Sequence, residues 1–424
     1  METLELNRVV YSDKGTKINY EYVVSNNVQK YFTNDEFLYS KYQVDVSNIP
    51  YSIAVIPFLS NIMPIAWFVG FDVKIEEVDK VFLESLEALK QEFDKHHPDK
   101  ELKGSLQVKK VVNNTIDGDK NGLLFSGGLD SFESYTRNYD LDPILVSIHG
   151  ADVAIDDTIR WNDFVRFNEE EQIVKNENLF YIESNLRDFY TYQLELLVDI
   201  GWWGKIQHGM ALIGAIAPLG YHKGISKIFI GSSNTEEISF GWGSSPEIDE
   251  KMKWANSAVV HDGYHLRRTD KIENIVAYCK ENNTSINLRV CYSEKRDGYN
   301  CNVCAKCQRT ILGLILSGAN PNDFGFMTPS NLYELVLNNF NENNSMTEGL
   351  KHEWKCLQEK ATAVDDFFVL EDKEQESKKI NTFINLNLSQ MINKHSEKVK
   401  KQQKARFIIR NKFPWLVNLY KKIK

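Results

Sequence analysis

The segment SGGLDS, residues 126 to 131, combines the residue types that bind phosphate groups. It follows the apolar run GLLF and precedes a stretch with the pattern of a helix. A strand that ends in two glycines and continues as a helix gathers backbone N–H groups around a turn, with the positive end of the helix dipole behind them. Glycine lets the backbone approach an anion closely, and serine adds hydroxyl donors. For SGG alone, an ordinary strand–helix turn with Asp130 as a dipole partner is an equal alternative.

A second set of residues suited to chemistry lies in the cysteine-rich stretch CYSEKRDGYNCNVCAKC. Its four thiols are Cys291, Cys301, Cys304 and Cys307. Four thiolates, three of them at CxxCxxC spacing, can converge on one tetrahedral zinc ion. An iron–sulfur cluster or a redox pair would use similar spacing, but the fourth cysteine upstream favours structural zinc. Unrelated core cysteines are the weaker alternative, because CNVCAKC is too polar for a core.

Taken whole, SGGLDS resembles the SGGxDS signature of the PP-loop ATP pyrophosphatases. The enzymes of that family bind the pyrophosphate of ATP in this loop and adenylate a carboxylate or amide, so that AMP leaves when a nucleophile attacks. The resemblance implies ATP and magnesium as cofactors, with Asp130 orienting the loop or a magnesium ion. The nucleotide-binding residues that it implies are Ser126, Gly127, Gly128, Leu129, Asp130 and Ser131. Asp130 and Ser131 are also predicted to be catalytic.

The loop and the cysteines together resemble 7-cyano-7-deazaguanine synthase, which converts a carboxylate on a deazaguanine into an amide and then a nitrile. The resemblance covers about residues 120 to 315, and Arg309 falls where that family has an arginine after its last cysteine. It implies that the four cysteines bind zinc in a HUP-type (adenine nucleotide alpha hydrolase-like) α/β fold with a five-stranded parallel sheet. The substrate segment of the family is replaced here by ISFGWGSSPEID. The chain looks like a divergent relative, of the sort found in antiphage operons and in surface-polysaccharide loci.

Five short apolar runs alternate with helical stretches across the middle of the chain, which is typical of a parallel sheet covered on both faces. The runs are GLLF, PILVSIHG, NLFYIESN, KIFIGSS and SAVVHDG. Because the polar stretch 113–122 is a plausible boundary, three regions are predicted. They are an N-terminal α+β appendage at 1–112, a PP-loop domain with the cysteine site at 120–320, and a helical C-terminal region with a basic tail at 321–424.

The N-terminal appendage is predicted to contain three strands, TKINYEYVV, SIAVIPFL and IAWFVGFDV, followed by the helix VDKVFLESLEALKQEFDKHH. Pro57 and Pro64 break the apolar stretch 53–71, so we expect two buried strand-sized pieces there and not a membrane span. The sequence begins without a secretory signal pattern, which predicts a cytoplasmic protein with reduced thiols.

Polar residues at the ends of the predicted strands should line the same cleft as the loop. The candidates are His149, Asp152, Asn185, Arg187, Ser232, Ser233 and Asn234. Of these, His149 and Ser232 are predicted to bind the nucleotide. His208, at the start of an apolar helix, is as consistent with a buried cap as with a ligand. Helix capping and exposure to water are the alternatives for the whole group.

A second group of polar residues follows the fourth and fifth strands. The candidates near the cleft mouth are His261, Asp262, Arg267, Arg268 and Lys271. Cations there would stabilise charge on departing phosphates, and Arg267 and Lys271 are predicted to be catalytic. Trp242 would stack on a flat ring, with Glu247 or Asp249 reading its donors, if GWGSSPEID is a lid over the cleft. A solvated helix start and a plain surface loop are the alternatives.

The formal net charge of −9 hides an asymmetry, because residues 398–424 carry ten Lys or Arg and no acid. The rest of the chain has 40 bases against 59 acids, a net charge of −19. A body this acidic is a poor nucleic-acid binder, so no nucleic acid is expected as a partner, and a tRNA role would have to use the tail. The tail mixes cations with aromatic residues. It is predicted to contact an anionic membrane surface from the cytoplasm, or else to dock on the acidic body or on a protein partner.

The function that these features predict is an ATP-dependent enzyme that releases AMP and pyrophosphate and forms a C–N bond. The acceptor would be a small-molecule or protein carboxylate, a deazaguanine-like molecule being one choice, and the nitrogen would come from ammonia or an amine. No built-in ammonia source is recognisable in the sequence. Thiolation fits less well, because only Cys279 and Cys356 remain outside the zinc set. A sugar amidotransferase in glycan assembly and a nucleotide-binding scaffold that recruits an operon-encoded partner are the alternatives.

Overall fold

The computed structural model describes residues 2–34, 36–238, 241–291, 293, 298–340, 346–388 and 397–412. Its strands are β1 (Thr3–Ser12), β2 (Lys17–Val24), β3 (Tyr39–Lys41), β4 (Asp72–Asp79), β5 (Leu106–Val112), β6 (Lys120–Leu124), β7 (Ile144–His149), β8 (Leu179–Ser184), β9 (Ile225–Gly231) and β10 (Ala258–Asp262). Its α-helices are α1 (Tyr51–Ala54), α2 (Ile56–Val69), α3 (Lys80–His96), α4 (Leu129–Arg137), α5 (Thr158–Glu170), α6 (His208–Lys223), α7 (Pro246–Asp249), α8 (Arg268–Asn282), α9 (Ala305–Leu316), α10 (Leu332–Asn338), α11 (Glu348–Ala363), α12 (Lys373–Ile384) and α13 (Glu397–Lys412). Parts of three predicted features lie outside the described residues, namely 239–240 of the loop, 292 and 294–297 of the cysteine stretch, and 413–424 of the tail.

Within the described residues, the strands form one mostly parallel sheet flanked by helices, in the order β10-β9-β6-β7-β8-β3-β2-β1-β4-β5. The strands β10, β9, β6, β7 and β8 are parallel to one another, with β6 in the middle. These are the five apolar runs of the sequence, so the prediction of parallel strands there is confirmed. The predicted strand TKINYEYVV and the charged helix after the apolar stretch are confirmed as β2 and α3.

The prediction of a five-stranded sheet is wrong, because strands of the N-terminal region extend the sheet to ten. The junction is an antiparallel pairing of β3 with β8, in which Ser40 lies opposite Ser184. Tyr39 N donates to Asn185 Oδ1 at 2.9 Å, and Ser184 Oγ donates to the Tyr39 carbonyl at 2.5 Å. Without β3, the edge of β8 would expose unpaired backbone groups. The sheet therefore runs across the predicted boundary at 113–122.

Residues 53–71 are mainly helical, so the prediction of two strands there is wrong. Helix α2 has Pro57 in its first turn, where proline is tolerated, and Pro64 in its interior. Every residue from Ile56 to Trp67 is buried. A helix buried on all sides has no polar face, so its sequence lacks the 3.6-residue period that marks a surface helix. The expectation that this stretch belongs to the core is confirmed. Among the described residues, no helix combines the length and the apolarity needed to cross a membrane.

The helix that follows the glycine-rich loop shares a core with the C-terminal helices. Helix α4 packs against α8, and α8 packs against both α9 and α11. Phe132, Ile272, Ile311 and Leu357, one from each of these helices, belong to the same buried cluster. The C-terminal region therefore contributes to the surroundings of the loop, a connection that polar helical sequence gave no reason to expect.

Candidate functional site

The glycine-rich loop lies at the carboxyl end of β6, in the middle of the parallel strands. Helix α4 begins at Leu129 with Gly128 at its N-cap, so the loop joins a strand to a helix as the sequence predicts. Gly127 has a φ of +66°, and a Cβ atom there would lie 2.6 Å from Phe167 Cε1. Glycine meets both conditions without strain, and other residues do not. The shape of the turn therefore depends on Gly127.

Ser126 and Ser131 close the loop from its two ends. Ser126 N donates to Ser131 Oγ at 3.3 Å, and the two hydroxyl oxygens are also 3.3 Å apart. Ser131 Oγ in turn donates to the Gly128 carbonyl at 3.1 Å. Ser131 is buried whereas Ser126 is exposed to the cleft. Ser131 therefore holds the backbone in place, whereas the Ser126 hydroxyl lies at the surface of the cleft.

Asp130, in the first turn of α4, is paired with Lys271 of α8. The Oδ1 and Nζ atoms are 3.2 Å apart, and Nζ also donates to the Ser232 carbonyl at the end of β9. Burial favours the neutral carboxyl, but the positive charges of Lys271, Arg268 and Lys306 outweigh it and lower the pKa of Asp130. Asp130 is therefore ionised at neutral pH and joins the loop to the lysine.

Three more cations line the cleft in front of the loop, namely Arg268, Arg289 and Lys306. Arg289 belongs to a segment that is bonded to the loop itself, because its backbone N donates to the Gly127 carbonyl at 2.8 Å. Arg268 is held by a 2.9 Å hydrogen bond from its Nη2 to Thr310 Oγ1 on α9. These three cations line the cleft beside Asp130 and Asp152, and cations gathered at a glycine-rich loop suit a polyphosphate. Lys271, which was predicted to be catalytic, is 2% exposed and lines the smaller neighbouring cavity, not this cleft.

Arg267, which was predicted to be catalytic, does not line the cleft. Its guanidinium lies 2.7 Å from Glu237 and 2.9 Å from Glu359. Arg267 is the N-cap residue of α8, and its backbone N donates to Asp270 Oδ2 at 2.9 Å. Because neighbouring residues at a helix start point in different directions, the next residue, Arg268, faces the cleft instead. Sequence reasoning placed both arginines near the cleft mouth but had no means of choosing between them.

The rest of the cleft has flat, apolar walls. It encloses about 1120 Å³ including the solvent at its mouth, and Trp161, Phe164 and Trp242 are among its lining residues. Trp161 stacks on His149, with ring centroids 4.5 Å apart and planes 5° from parallel. Asp152 and His208 add polar groups to the same walls. The cleft therefore combines cationic and aromatic side chains, and the Arg289 guanidinium lies over the Phe164 ring, 4.9 Å from its centroid. Sequence reasoning missed Trp161 and Phe164 because their helix, α5, shows no motif.

The structure brings some of the predicted strand-end residues into the cleft and leaves others behind it. Ser233 lines the cleft, with its Oγ 3.4 Å from Asp130 Oδ2. His149 is buried behind Trp161, with its Nε2 3.1 Å from the Ala154 carbonyl. Asn185 is used to bind β3 to the sheet. The expectation that every strand-end polar residue lines the cleft is thus wrong for His149 and Asn185, because the backbone of adjacent loops needs them as partners. Arg187, whose Nη1 donates to the Ala151 carbonyl at 2.8 Å, and Asn234 do not line the cleft either.

Ser232, the other predicted nucleotide-binding residue, belongs to a buried chain with His261 and Asp249. His261 Nε2 lies 2.8 Å from Ser232 Oγ, and His261 Nδ1 lies 2.7 Å from Asp249 Oδ2. These are the contacts of a Ser-His-Asp triad, but Ser232 is 0% exposed and its hydroxyl donates to the Asn234 carbonyl at 2.7 Å. A nucleophile must reach its substrate. These hydrogen bonds instead hold Ser232 in place, so that its backbone carbonyl accepts a hydrogen bond from Lys271 Nζ.

Asp249→Ala is expected to lower the free energy of unfolding by about 3 kcal/mol, because two buried donors lose their common acceptor. Besides His261, Asp249 Oδ2 accepts a hydrogen bond from Ser244 Oγ at 2.7 Å. Urea unfolding of the variant and the wild type measures the loss. The matched control is Glu87→Ala on the exposed side of α3, which should change stability by less than about 0.5 kcal/mol. If Asp249→Ala lost no more stability than the control, the hydrogen bonds among Ser232, His261 and Asp249 would not have the proposed structural role.

The four cysteines converge on one point. The Sγ atoms of Cys304 and Cys307 are 3.5 Å apart, and the pairs Cys291–Cys304 and Cys301–Cys307 are each 3.9 Å apart. All four sulfurs lie within 4.8 Å of one another. Four thiolates around a zinc ion, each about 2.3 Å from it, would lie about 3.8 Å apart. The predicted set of four cysteines therefore forms a cluster that could hold zinc.

The cysteine cluster also positions two of the cleft cations. Cys304 is the N-cap of α9, which places Lys306 in the first turn of that helix. Arg289 lies two residues before Cys291 in the sequence. Sequence reasoning did not find Arg289 or Lys306, and the available signal was only that they flank predicted metal ligands. A metal ion in the cluster would hold both cations at the cleft.

The two cysteines outside the cluster are poor nucleophiles. Burial raises the pKa of the Cys279 thiol to about 11. Burial does the same for Cys356, also to about 11, against the opposing charge of Arg267. A thiol with such a pKa is protonated at neutral pH and attacks slowly. The structure therefore adds to the case against thiolation.

The loop predicted as a lid is packed in its described part. Trp242 lines the cleft and fits against Gly204, where a Cβ atom would lie 2.4 Å from the indole. Gly243 N donates to the Gly204 carbonyl at 2.8 Å. Asp249 is committed to the buried chain, and Glu247 lines a separate surface depression. Of the described residues of this loop, Trp242 and Ser244 line the cleft, and the Ser244 hydroxyl donates to Asp249.

The described part of the basic tail is a helix, α13, that contacts the body. Lys404 Nζ lies 2.6 Å from Asp199 Oδ1, and the Phe407 ring lies 6.3 Å from that of Tyr192. The apolar residues of α13 are spread around the helix and do not gather on one face. An interfacial helix needs such a face. These contacts favour the alternative in which this part of the tail docks on the acidic body.

The fold and the site together define an α/β protein with a large, mostly parallel sheet, a glycine-rich loop at the carboxyl end of its middle strand and a four-cysteine cluster beside it. No family model, no curated protein and no solved structure matches the chain.

Proposed function

We propose that the chain binds ATP in the cleft and transfers its adenylyl group to a carboxylate or amide, with release of pyrophosphate and formation of a C–N bond. The observation that carries the proposal is the placement of SGGLDS at the carboxyl end of β6 and the start of α4, facing the cations of α8 and α9. Backbone N–H groups at a helix start and several converging cations are what a polyphosphate needs. The resemblance to the PP-loop enzymes supplies the choice of pyrophosphate as the leaving group.

The cations have a defined role in this reaction. Negative charge moves onto the leaving pyrophosphate as the bond to the α-phosphorus breaks, and fixed positive groups stabilise that charge. Lys271 is held for this by Asp130 at 3.2 Å and by the Ser232 carbonyl. Asp130 therefore acts as a positioning residue for Lys271 and for the loop. Its pairing with lysine favours this role over that of a magnesium ligand, and any magnesium ion would arrive with the nucleotide.

The part of the cleft lined by Trp161 and Trp242 is the proposed acceptor site. Trp161 and Trp242 would enclose a flat molecule, and Asp152 would read its polar groups. Burial lowers the pKa of His208, so its imidazole is neutral at pH 7. Its Nδ1 atom has no hydrogen-bond partner among the described residues. Because this Nδ1 atom is also buried, His208 is proposed as part of the wall of the acceptor site and not as the base.

A zinc ion in the four-cysteine cluster is proposed to be structural. The cluster uses four thiolates, which leaves no open position for a substrate, as in other structural zinc sites. Two further contacts support the sulfur geometry, since Ser293 N lies 3.2 Å from Cys291 Sγ and Cys304 N lies 3.3 Å from Cys301 Sγ. Donation of backbone N–H groups to ligand sulfurs stabilises thiolates around a metal.

The proposed reaction can be tested by following both ends of ATP. With label on the α-phosphate, AMP should be the product, and with label on the γ-phosphate, the label should leave as pyrophosphate. Candidate acceptors are a deazaguanine carboxylate and other flat carboxylates, each supplied with ammonia. Formation of ADP and phosphate, or no turnover of ATP with any flat carboxylate while the protein also fails to bind ATP in calorimetry, would contradict the proposal.

Ser126→Ala is expected to slow formation of AMP by about 10- to 100-fold, because it removes one hydroxyl donor that meets the phosphates. The fold should be unaffected, since the side chain is exposed. Ser12→Ala, at the end of β1 in the distant half of the sheet, is the matched control and should leave the rate unchanged. Equal rates for the two variants would remove Ser126 from the proposed site.

A further inference from the structure

A second group of metal-binding side chains lies between the end of β9 and helix α11. Glu237 Oε2 is 3.2 Å from His352 Nε2, and Cys356 Sγ is 3.3 Å from the same nitrogen. The three donor atoms all lie within 4.8 Å of one another. His352 and Cys356 lie outside the stretch of about residues 120 to 315 that resembles a known family, and Glu237 lies inside it. We refer to Glu237, His352 and Cys356 as the α11 cluster.

The distances in the α11 cluster suit a tetrahedral ion. With zinc bonds of about 2.0 to 2.3 Å to oxygen, nitrogen and sulfur, ligand atoms lie about 3.4 to 3.6 Å from one another. The observed separations of 3.2 and 3.3 Å are close to these values, so small side-chain shifts would complete the geometry. One sulfur, one nitrogen and one carboxylate oxygen together favour zinc or cobalt over magnesium or calcium, which prefer oxygen alone.

The supporting structure is rigid. His352 and Cys356 are four residues apart on α11, so they lie on the same face of one helix. Trp354 anchors that helix in the core. Glu237 is oriented from behind by Arg267, whose Nε donates to Oε1 at 2.8 Å and leaves Oε2 directed at the histidine. A ligand carboxylate held by a second residue in this way is the usual arrangement at metal sites.

The α11 cluster also opens onto a cavity. His352 and Cys356 line a space of about 450 Å³, including solvent at its mouth, that is lined as well by Asp130, Arg268 and Lys271. We propose that Glu237, His352 and Cys356 bind a zinc ion with three protein ligands and a fourth position open to this cavity. Three ligands and one open position are the arrangement of zinc ions that bind water or an anionic ligand. The inference does not depend on the proposed reaction, since it rests on ligand type and geometry alone.

The test is the metal content of the full-length protein after saturation with zinc and removal of free metal. We expect about two zinc ions per wild-type chain, one in each cluster, and about one in His352→Ala and in Cys356→Ser. Cys279→Ser is the matched control, because Cys279 is also buried and lies outside both clusters, and it should keep about two. Equal zinc contents in the wild type and in both variants would overturn the proposal, whatever the occupancy of the four-cysteine cluster.

Glu237→Gln provides a second readout that does not change the core, because Glu237 is exposed. In this variant we expect the affinity for the second zinc ion to fall about 10- to 100-fold while the thermal unfolding temperature stays within a degree or two of the wild type. In cobalt-substituted protein, Cys356→Ser should lower the thiolate-to-cobalt absorption by about one fifth, since one of five thiolates is removed. An unchanged cobalt spectrum in Cys356→Ser, or unchanged affinity in Glu237→Gln, would count against the site.

Discussion

Cys304→Ser should abolish binding of the structural zinc ion and lower the affinity for ATP by at least about 100-fold. The reason is positional: the residue caps α9, and Lys306 and Arg289 reach the cleft from segments that meet at the cysteine cluster. A zinc ion bound in the cluster would contribute several kcal/mol to the stability of the segments it joins, since structural zinc binds small domains with about 10 to 16 kcal/mol. Zinc analysis, thermal unfolding and calorimetric titration with ATP measure the three effects on one preparation.

Two comparisons make the Cys304 result interpretable. Cys279→Ser removes a buried thiol from α8 outside the cluster, so it should keep the zinc and the affinity for ATP. Lys306→Met removes one cation without touching a ligand, and should weaken ATP about 10-fold while zinc content stays the same. If Cys304→Ser lost its zinc but bound ATP as the wild type does, the proposed link between the metal and the cleft would be wrong.

The parallel part of the fold could be predicted because its signals are local. Each of the five strands is a short apolar run with a turn after it, and the loop after β6 carries a motif. What the sequence could not show is pairing between distant segments. The antiparallel contact of β3 with β8 joins residues more than 140 positions apart. A three-residue strand leaves almost no pattern in the sequence, because its pairing is decided by backbone groups that every residue has.

Some residues of the candidate site could be recognised in the sequence, whereas others are placed there only by tertiary packing. The loop and the cysteines have fixed spacing, so both were recognisable. Arg268 and Arg289 reach the cleft through the packing of α8 and through the segment bonded to Gly127, and neither has a spacing of its own. The choice between Arg267 and Arg268 depends on which of two adjacent side chains turns toward the sheet, which is set by tertiary contacts with Glu237 and Thr310.

The α11 cluster is the clearest example of a group of residues that could not be predicted from the sequence. His352 and Cys356 are a helical pair, which is common in sequences without any function. Their third partner, Glu237, lies 115 positions earlier, in a loop whose place is set by β9. The tertiary fold brings these residues together, because α11 packs against α8 beside the loop that carries Glu237.

Lys271→Met is expected to slow AMP formation by about 100- to 1000-fold, the largest effect of any single substitution that leaves the metal ligands intact. Lys271 is only 2% exposed, and its ammonium group is bonded to Asp130 and to the Ser232 carbonyl. The substitution removes a cation from the proposed leaving-group site and leaves a carboxylate without its partner, which should also cost about 3 kcal/mol of stability. Lys280→Met, on the exposed side of the same helix, is the matched control and should behave as the wild type.

The pH dependence separates a role in positioning from a loss of fold. Burial raises the pKa of Asp130, but Lys271, Arg268 and Lys306 lower it below the ordinary value near 4. The stability that the ion pair contributes is therefore present above about pH 4 and is lost as the pH falls through the lowered pKa of Asp130. In Lys271→Met, burial acts with one fewer opposing charge, so the acid limb of both stability and AMP formation should move to higher pH. In Asp130→Asn that limb should disappear. If the double variant Asp130→Asn/Lys271→Met lost as much rate as the two single variants added together, the residues would act independently, and the pairing of Asp130 with Lys271 would not be what positions the lysine.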